Sequence, residues 1–214
     1  MSFFITFEGI EGCGKTTQIE LLATFFQKIH RPYLLTREPG GSPLGRRIRE
    51  ILLTPHNGRI EPLAEYFLYA ADRVQHLREV ILPALRRGEV VLCDRYFDAT
   101  MAYQGYGRGL DLKWLEAIHR WAMENVTPHL TYLLDLPVEV GLQRALTRMG
   151  QTALREDRFE REALDFHRRV REGYLSLARQ DPQRFIVLDG MRDPLSLHQE
   201  VLAHLPPEMR RHDL

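Results

Sequence analysis

Residues 3–17 read Phe3-Phe4-Ile5-Thr6-Phe7-Glu8-Gly9-Ile10-Glu11-Gly12-Cys13-Gly14-Lys15-Thr16-Thr17. The first six form an apolar run that stops at a glycine, which is typical of a buried strand. The next eight fit G-x-x-x-x-G-K-[ST], a phosphate-binding loop between a strand and a helix. Its glycines let N–H groups turn inward, and the helix N-terminus adds positive charge. We therefore expect residues 9–17 to bind a nucleoside triphosphate.

Two side chains at the end of this loop carry chemistry. Lys15 is expected to reach the β- and γ-phosphates, and the Thr16 hydroxyl to hold Mg²⁺. Cys13 is interpreted as a small loop residue. The loop alone does not identify a function, because switches, motors, transporters and kinases all share it.

The rest of the chain alternates predicted strands with predicted helices. Their order predicts a doubly wound, three-layer α/β/α sandwich with a five-stranded parallel sheet. Residues 1–214 are expected to form one domain, with loops at Glu38–Pro43 and Gly105–Gly109 and a polar flap at Met149–Arg158. The predicted strands are Phe3–Glu8, Tyr33–Thr36, Glu89–Cys93, Leu130–Leu136 and Phe185–Leu188. The predicted helices are Gln18–Ile29, Gly45–Leu53, Glu61–Arg87, Leu112–Asn125, Val138–Arg148, Glu160–Gln180 and one closing helix.

Composition excludes several classes of protein. Lys+Arg and Asp+Glu are both 29 in 214 residues, which disfavours a broadly basic nucleic-acid-binding surface. No apolar run approaches the roughly 20 residues that span a bilayer, and the N-terminus lacks signal-peptide features. Cys13 and Cys93 cannot form a disulfide framework, so a cytoplasmic location is expected. The nine histidines show no ligand spacing and are interpreted as surface or packing residues.

Arginine dominates the cations, because lysine occurs only at Lys15, Lys28 and Lys113. Its planar fork suits phosphate and carboxylate groups. The third predicted strand ends in Asp94-Arg95-Tyr96, an acid that could face a metal beside a cation that could clamp a second phosphate. This pairing favours transfer between two bound phosphates over hydrolysis. A GTPase is disfavoured because the sequence has no N-K-x-D element.

Five motifs follow one another along the chain: Phe7–Thr17, Thr36-Arg37-Glu38-Pro39-Gly40-Gly41, Asp94-Arg95-Tyr96, Ala102-Tyr103-Gln104-Gly105 with Arg108-Gly109, and Asp157-Arg158-Phe159-Glu160. In this order they resemble the motifs of bacterial thymidylate kinases. The resemblance implies transfer of the ATP γ-phosphate to dTMP, giving dTDP for dTTP biosynthesis. It also implies Mg²⁺, a five-stranded parallel sheet and a homodimer.

The resemblance also implies roles for individual residues around dTMP. Tyr69 would stack on the base, Arg73 would reach its edge, and Thr100 would face it. Tyr103 would lie under the deoxyribose, with Gln104 as polar support, and Glu11 would approach the 3′-hydroxyl. Glu38 and Pro39 would shape the acceptor site, where Arg37 or Arg49 would meet the phosphate. Arg95 would bridge acceptor and transferring phosphates, while Asp94 would orient Mg²⁺ through water or hold Lys15. Ala99 departs from the family, which often has serine there.

The source of a further catalytic arginine follows from the phosphate loop. Residues 10–13 carry no basic side chain, so the chain resembles the subclass whose arginine comes from a lid, here at about 144–158. Arg148 and Arg155 are the two possible residues, and the choice between them stays open. A deoxynucleoside kinase and a hydrolytic phosphate-loop protein remain as alternative functions.

Overall fold

All five predicted strands form one sheet in the computed structural model, which describes residues 2–54, 60–122, 124, 126–149, 158–159 and 162–210. The order is β2-β3-β1-β4-β5, and every neighbouring pair is parallel. The expected doubly wound sheet is therefore confirmed. The strands are β1 (Phe3–Glu8), β2 (Tyr33–Arg37), β3 (Val90–Asp94), β4 (Leu130–Asp135) and β5 (Phe185–Asp189).

Helices connect the strands. Two of them begin where a side chain caps the first turn: the Ser42 hydroxyl accepts from Gly45 N–H at 3.0 Å, and the Asp193 carboxylate accepts from Leu195 and Ser196. Each of these two also has proline in its first turn, where no N–H is needed. The helices are α1 (Lys15–Lys28), α2 (Pro43–Leu53), α3 (Pro62–His76), α4 (Leu82–Arg86), α5 (Phe97–Thr100), α6 (Leu112–Ala122), α7 (Val138–Met149), α8 (Leu164–Gln180) and α9 (Pro194–His204).

Side chains of β1 alternate between the two faces of the sheet and so define two helical layers. Phe3, Ile5 and Phe7 belong to the core that α1 and α9 cover. Phe4 packs instead against the helical segment 77–86, and Glu8 on that same face contacts α8. Both faces are thus covered, as a parallel sheet requires.

Two expectations about local structure need correction. The predicted helix Glu61–Arg87 is not α-helical throughout: a π-helical turn at Leu77–Ile81 joins α3 to α4. The predicted loop Gly105–Gly109 is largely helical, because Met101–Gly107 continues α5 as a π-helix. Glycines there serve close packing, since a Cβ on Gly107 would lie 2.7 Å from Phe166 of α8.

The sheet places two chemically important turns side by side. β1 and β3 are neighbours, and their carboxyl ends lead directly into the phosphate loop and into Asp94-Arg95. Ligands of open parallel sheets bind beyond such carboxyl ends. Within the described ranges, no helix is both long enough and apolar enough to cross a membrane.

Candidate active site

A cavity of about 340 Å³ opens at this edge of the sheet. Residues from the phosphate loop form one wall, and residues after β2, on α2 and α3, and after β3 form the others. The structure thereby brings together most of the predicted site. The predicted residues that line the cavity are Glu11, Gly12, Gly14, Lys15, Thr16, Thr17, Arg37, Glu38, Pro39, Arg49, Tyr69, Arg73, Asp94, Arg95, Thr100, Tyr103 and Gln104.

The phosphate loop adopts a conformation that needs glycine. Gly9, Gly12 and Gly14 have φ values of 134°, 69° and 99°. A Cβ on Gly12 would also lie 2.1 Å from the Gly141 carbonyl of α7. The side chains of Ile10 and Cys13 belong to the core and do not line the cavity. At Ile10 and Cys13 the loop therefore presents its main chain, rather than side chains, to the cavity.

Lys15 and Thr16 begin α1 beside the cavity. Lys15 Nζ donates to the carbonyls of Gly9 at 3.0 Å and Ile10 at 2.9 Å. The Thr16 hydroxyl donates to Asp94 Oδ2 at 3.3 Å, so these two oxygens adjoin each other. Hydroxyl and carboxylate oxygens are the ligands that Mg²⁺ prefers. No cluster of three or more His, Cys, Asp or Glu residues that could hold a metal occurs within the described part of the chain.

Arg95 follows Asp94 in a backbone conformation rare for a residue with a side chain. Its φ is 69°, in the left-handed region, which costs a non-glycine residue about 1–3 kcal/mol. The guanidinium donates to Glu11 Oε1 at 3.2 Å and to the Tyr174 hydroxyl at 3.0 Å. It also lies 4.9 Å from the centroid of the Tyr103 ring. A well-held cation thus lies between the phosphate loop and the cavity wall that carries Tyr103.

Glu11 is an acid inside a phosphate-binding loop, and its contacts explain why it is tolerated. Tyr103 donates its hydroxyl to Glu11 Oε1 at 2.5 Å, and His167 Nδ1 lies 3.6 Å from Oε2. Burial alone would raise the pKa of Glu11, but His167, Arg95, Lys15 and Tyr103 outweigh burial and lower it to about 2. The carboxylate is therefore charged at neutral pH, and Glu11 lines the cavity.

The loop after β2 is fixed by a buried ionic network. Glu38 accepts from Arg73 Nε at 2.7 Å, and its other oxygen lies 2.9 Å from His76 Nδ1. His76 Nε2 in turn pairs with the Thr36 hydroxyl at 2.7 Å. Arg73 also donates to the Tyr96 carbonyl at 3.3 Å. Glu38 and Arg73, both predicted to lie in the acceptor site, thus hold each other in place.

The far wall of the cavity carries the residues predicted to face the base. Tyr69 packs against the core, and burial, with the charge of Glu65, raises the pKa of its hydroxyl. Thr100 is buried, and its Oγ1 has no hydrogen-bond partner within the described residues. Arg49 donates to the Pro39 carbonyl at 3.0 Å. A partnerless buried hydroxyl beside a cavity is the kind of group that a ligand satisfies.

A second acid organises this wall, and it was not singled out from the sequence. Glu65 is fully buried and accepts from Gln104 at 2.8 Å, from Arg158 at 2.6 Å and from Arg108 at 3.2 Å. Gln104 therefore supports the wall through Glu65. Arg158 belongs to the D-R-F-E motif, so its charge could have signalled a buried acid elsewhere in the chain.

The lid arginines are only partly within the described structure. Arg155 lies outside the described residues, and Arg148 belongs to α7 by its backbone, its side chain being outside them. Arg144, one turn earlier, donates to the Gly190 carbonyl at 2.9 Å. The choice between Arg148 and Arg155 stays a prediction.

Four buried residues of the site were not singled out from the sequence. His76 and His167 contact Glu38 and Glu11, so the interpretation of the histidines as surface or packing residues missed their polar contacts. Glu8 accepts from the Tyr174 hydroxyl at 2.8 Å beneath Arg95. Glu8 ends a strand directly before the phosphate loop, a position that could have drawn attention to it.

Comparison with known proteins gives a consistent result. Residues 7–201 match the family model described as thymidylate kinase. Thymidylate kinase from Geobacter sp. (strain M21) is 58% identical over 194 residues, which cover 90% of this chain and 86% of that protein. The thymidylate kinase from Syntrophus aciditrophicus (strain SB) is 51% identical over 207 residues, covering 96% and 94%.

A solved structure agrees with these relatives. The crystal structure of thymidylate kinase from Ehrlichia chaffeensis superimposes with a TM-score of 0.77 at 32% identity. The match covers 96% of this chain and 99% of that one. Sequence, fold and the residues around the cavity thus agree along nearly the whole length, and the chain belongs to the thymidylate kinase family.

Proposed function

We propose that this chain transfers the γ-phosphate of ATP to dTMP, forming dTDP and ADP as a step of dTTP biosynthesis. The observation that carries the proposal is the shared cavity. The phosphate loop lines the same continuous space as a second wall, which is formed by Tyr69, Arg73, Arg95 and Thr100. A donor and an acceptor can therefore bind together, as direct transfer requires. Family membership supports the same reaction.

On the donor side, residues 9–17 would cradle the ATP phosphates with their N–H groups. Lys15 would exchange its carbonyl contacts for the β- and γ-phosphate oxygens. Thr16 and Asp94 would hold Mg²⁺, directly or through water, because their oxygens adjoin at 3.3 Å beside the loop. The ion, when bound, neutralises phosphate charge.

At the reacting atoms, an oxygen of the dTMP phosphate bonds to the γ-phosphorus while the bond from that phosphorus to the β-phosphate oxygen breaks. Two polyanions must approach each other, so positioned cations dominate the catalysis. Arg95 lies between the phosphate loop and the acceptor wall and would contact both phosphates. Arg49, whose guanidinium donates to the Pro39 carbonyl beside the cavity, would contact the acceptor phosphate.

On the acceptor side, Tyr69 would stack on thymine while Arg73 and Thr100 bind its polar edge. Thr100 offers a buried hydroxyl whose oxygen has no partner within the described residues. Tyr103 and Glu11, which share a 2.5 Å hydrogen bond, would contact the deoxyribose, with Glu11 accepting from its 3′-hydroxyl. Glu38 and Pro39, with Gln104, would shape this site.

The assay that tests the proposal compares dTMP, dUMP and thymidine as acceptors, with ATP, in the presence of Mg²⁺. We expect rapid formation of dTDP and no phosphorylation of thymidine. Activity on thymidine without activity on dTMP would instead indicate a deoxynucleoside kinase. ATP hydrolysis that dTMP does not affect would indicate a hydrolytic phosphate-loop protein.

Variants test the roles of the arginines. Arg95→Ala should reduce transfer to a small residual rate with little loss of ATP binding. Arg120→Ala, which removes an exposed cation paired with Glu116, should leave kcat unchanged. The segment at about 144–158 is proposed as a lid that supplies a catalytic arginine, Arg148 or Arg155. If the Arg148→Ala, Arg155→Ala double variant keeps the wild-type kcat, the lid arginine is excluded.

The chain is also proposed to form a homodimer through an aromatic surface on α3 and α6. Phe67 and Trp114 are 51% and 38% exposed yet pack edge to face, and Trp121 lies two turns further along α6. Sedimentation should show a dimer that Phe67→Glu dissociates. Leu195→Glu, at an exposed position of α9, should leave the dimer intact. Both cysteines are free and buried, which supports the cytoplasm as the location.

A further inference from the structure

The backbone of Arg95 is anchored on both sides of its strained conformation. Its N–H donates to the Phe7 carbonyl at 3.0 Å, and its carbonyl accepts from the Cys93 thiol at 3.0 Å. The next N–H, that of Tyr96, donates to Glu8 Oε1 at 2.7 Å. The end of β1 therefore fixes the left-handed turn at Arg95, and one carboxylate oxygen of Glu8 is part of that anchor.

The other oxygen of Glu8 reaches the side chain of the same arginine through Tyr174. Arg95 Nη1 donates to the Tyr174 hydroxyl at 3.0 Å, and that hydroxyl donates to Glu8 Oε2 at 2.8 Å. Glu8 and Tyr174 are buried at 0% and 1% exposure, so water does not compete for these bonds. A single buried carboxyl group thus ties both the main chain and the guanidinium of Arg95.

Opposite contacts complete the arrangement. Arg95 Nη2 donates to Glu11 Oε1. The guanidinium carbon of Arg95 lies over the Tyr103 ring, 4.9 Å from the ring centroid. Tyr174 and Glu11 therefore hold the two ends of the planar fork, which carries five N–H donors. Because both terminal nitrogens are held, the orientation of the planar guanidinium is fixed. A single hydrogen bond would leave the group free to rotate.

We propose that Tyr174 and Glu8 are positioning residues, which hold the Arg95 guanidinium in the orientation that phosphoryl transfer needs. The inference rests on the proposed function, because it assigns Arg95 to the two phosphates. Tyr174 also has a packing role, since its ring lies 6.2 Å from the Tyr103 ring in the core. The hydroxyl is separable from that ring, and it carries the proposed effect.

The test is Tyr174→Phe in the full-length chain, which removes the hydroxyl and keeps the ring. We expect kcat for dTMP phosphorylation to fall about tenfold or more, because a hydrogen bond to a charged group is lost. The KM values for ATP and dTMP should stay within about twofold, since orientation matters most in the transition state. The matched control is Tyr106→Phe, which should leave kcat unchanged. The Tyr106 hydroxyl forms a hydrogen bond of 3.0 Å with Ser176, which lies on α8 like Tyr174.

A double-mutant cycle shows whether the effect acts through Arg95. Added to Arg95→Ala, Tyr174→Phe should cause no further loss of the residual turnover, measured with radiolabelled ATP at high enzyme concentration. Unfolding in urea should show both tyrosine variants folded. Three results would overturn this inference while leaving the proposed function intact. The first is a Tyr174→Phe variant with wild-type kcat, and the second is a fall in kcat no larger than that of Tyr106→Phe. The third is a loss of kcat from Tyr174→Phe that is as large in the Arg95→Ala background as in the wild type. A wild-type chain without dTMP activity overturns the proposed function, and this inference with it.

Discussion

Replacing Asp72 by asparagine should stabilise the protein, and the gain should depend on pH. Asp72 is buried on α3, where Oδ1 accepts from Gly40 N–H at 3.0 Å and Oδ2 has no partner within the described residues. Burial, and then the charge of Glu38, raises the pKa of this carboxyl from 3.8 to about 6. An asparagine keeps the acceptor for Gly40 and removes the buried negative charge.

The magnitude follows from linkage between protonation and folding. The folded protein binds the Asp72 proton more tightly than the unfolded chain, so the destabilisation is absent below pH 3.8 and complete above about pH 6. A difference of about two pKa values corresponds to about 3 kcal/mol. Asp72→Asn should therefore raise the free energy of unfolding by up to about 3 kcal/mol at pH 7.5, and by about half of that at pH 5.

Urea unfolding at several pH values measures this difference directly. Asp98→Asn is the matched control, because Asp98 is equally buried but its two oxygens pair with Arg184 at 2.6 and 3.0 Å. That variant should lose about 3 kcal/mol, since it leaves a partly buried guanidinium with a weaker partner. A destabilised Asp72→Asn protein, or a gain that is the same at both pH values, would refute the reasoning.

Three further changes have expected outcomes. Gly41→Ala places a Cβ 2.2 Å from His76 Nε2, so it should lower the free energy of unfolding by about 2 kcal/mol; wild-type stability in urea would count against this. Thr100→Val removes the buried hydroxyl that has no partner within the described residues, so it should raise the KM for dTMP about tenfold and leave the KM for ATP unchanged. Steady-state kinetics measure both constants, and no change in either would exclude Thr100 from the acceptor site. Glu65→Gln should lose about 3 kcal/mol in thermal or urea unfolding, because two arginines lose their buried partner; full stability would contradict that.

The strands and the phosphate loop could be predicted from the sequence because their signals are local. The run Phe3–Glu8 ends at the glycines of the loop, and β1 has those bounds in the structure. The segment at 101–107 could not be predicted in this way. Gly105 and Gly107 resemble loop residues, whereas their role depends on Leu112 and Phe166, which approach them only after folding.

The residues of the site also fall into two groups, those that local motifs predict and those whose role depends on the folded structure. Motif residues such as Lys15, Asp94 and Arg95 were predicted and line one cavity. Buried acids that support them were not, because nothing in the helical periodicity of α3 distinguishes Glu65, which is fully buried, from an exposed acid. Its burial depends on arginines that lie 43 and 93 positions away in the chain.

The scarcity of lysine has a practical consequence for labelling chemistry. Lys15 is buried and its ammonium is held by two loop carbonyls, whereas Lys28 at the end of α1 and Lys113 on α6 are exposed. Amine reactivity requires access, so an amine-reactive fluorophore would attach to these two lysine positions and spare the third. Neither of them lines the cavity. The protein thus carries two natural attachment points for immobilisation or distance measurement that leave the nucleotide site chemically untouched.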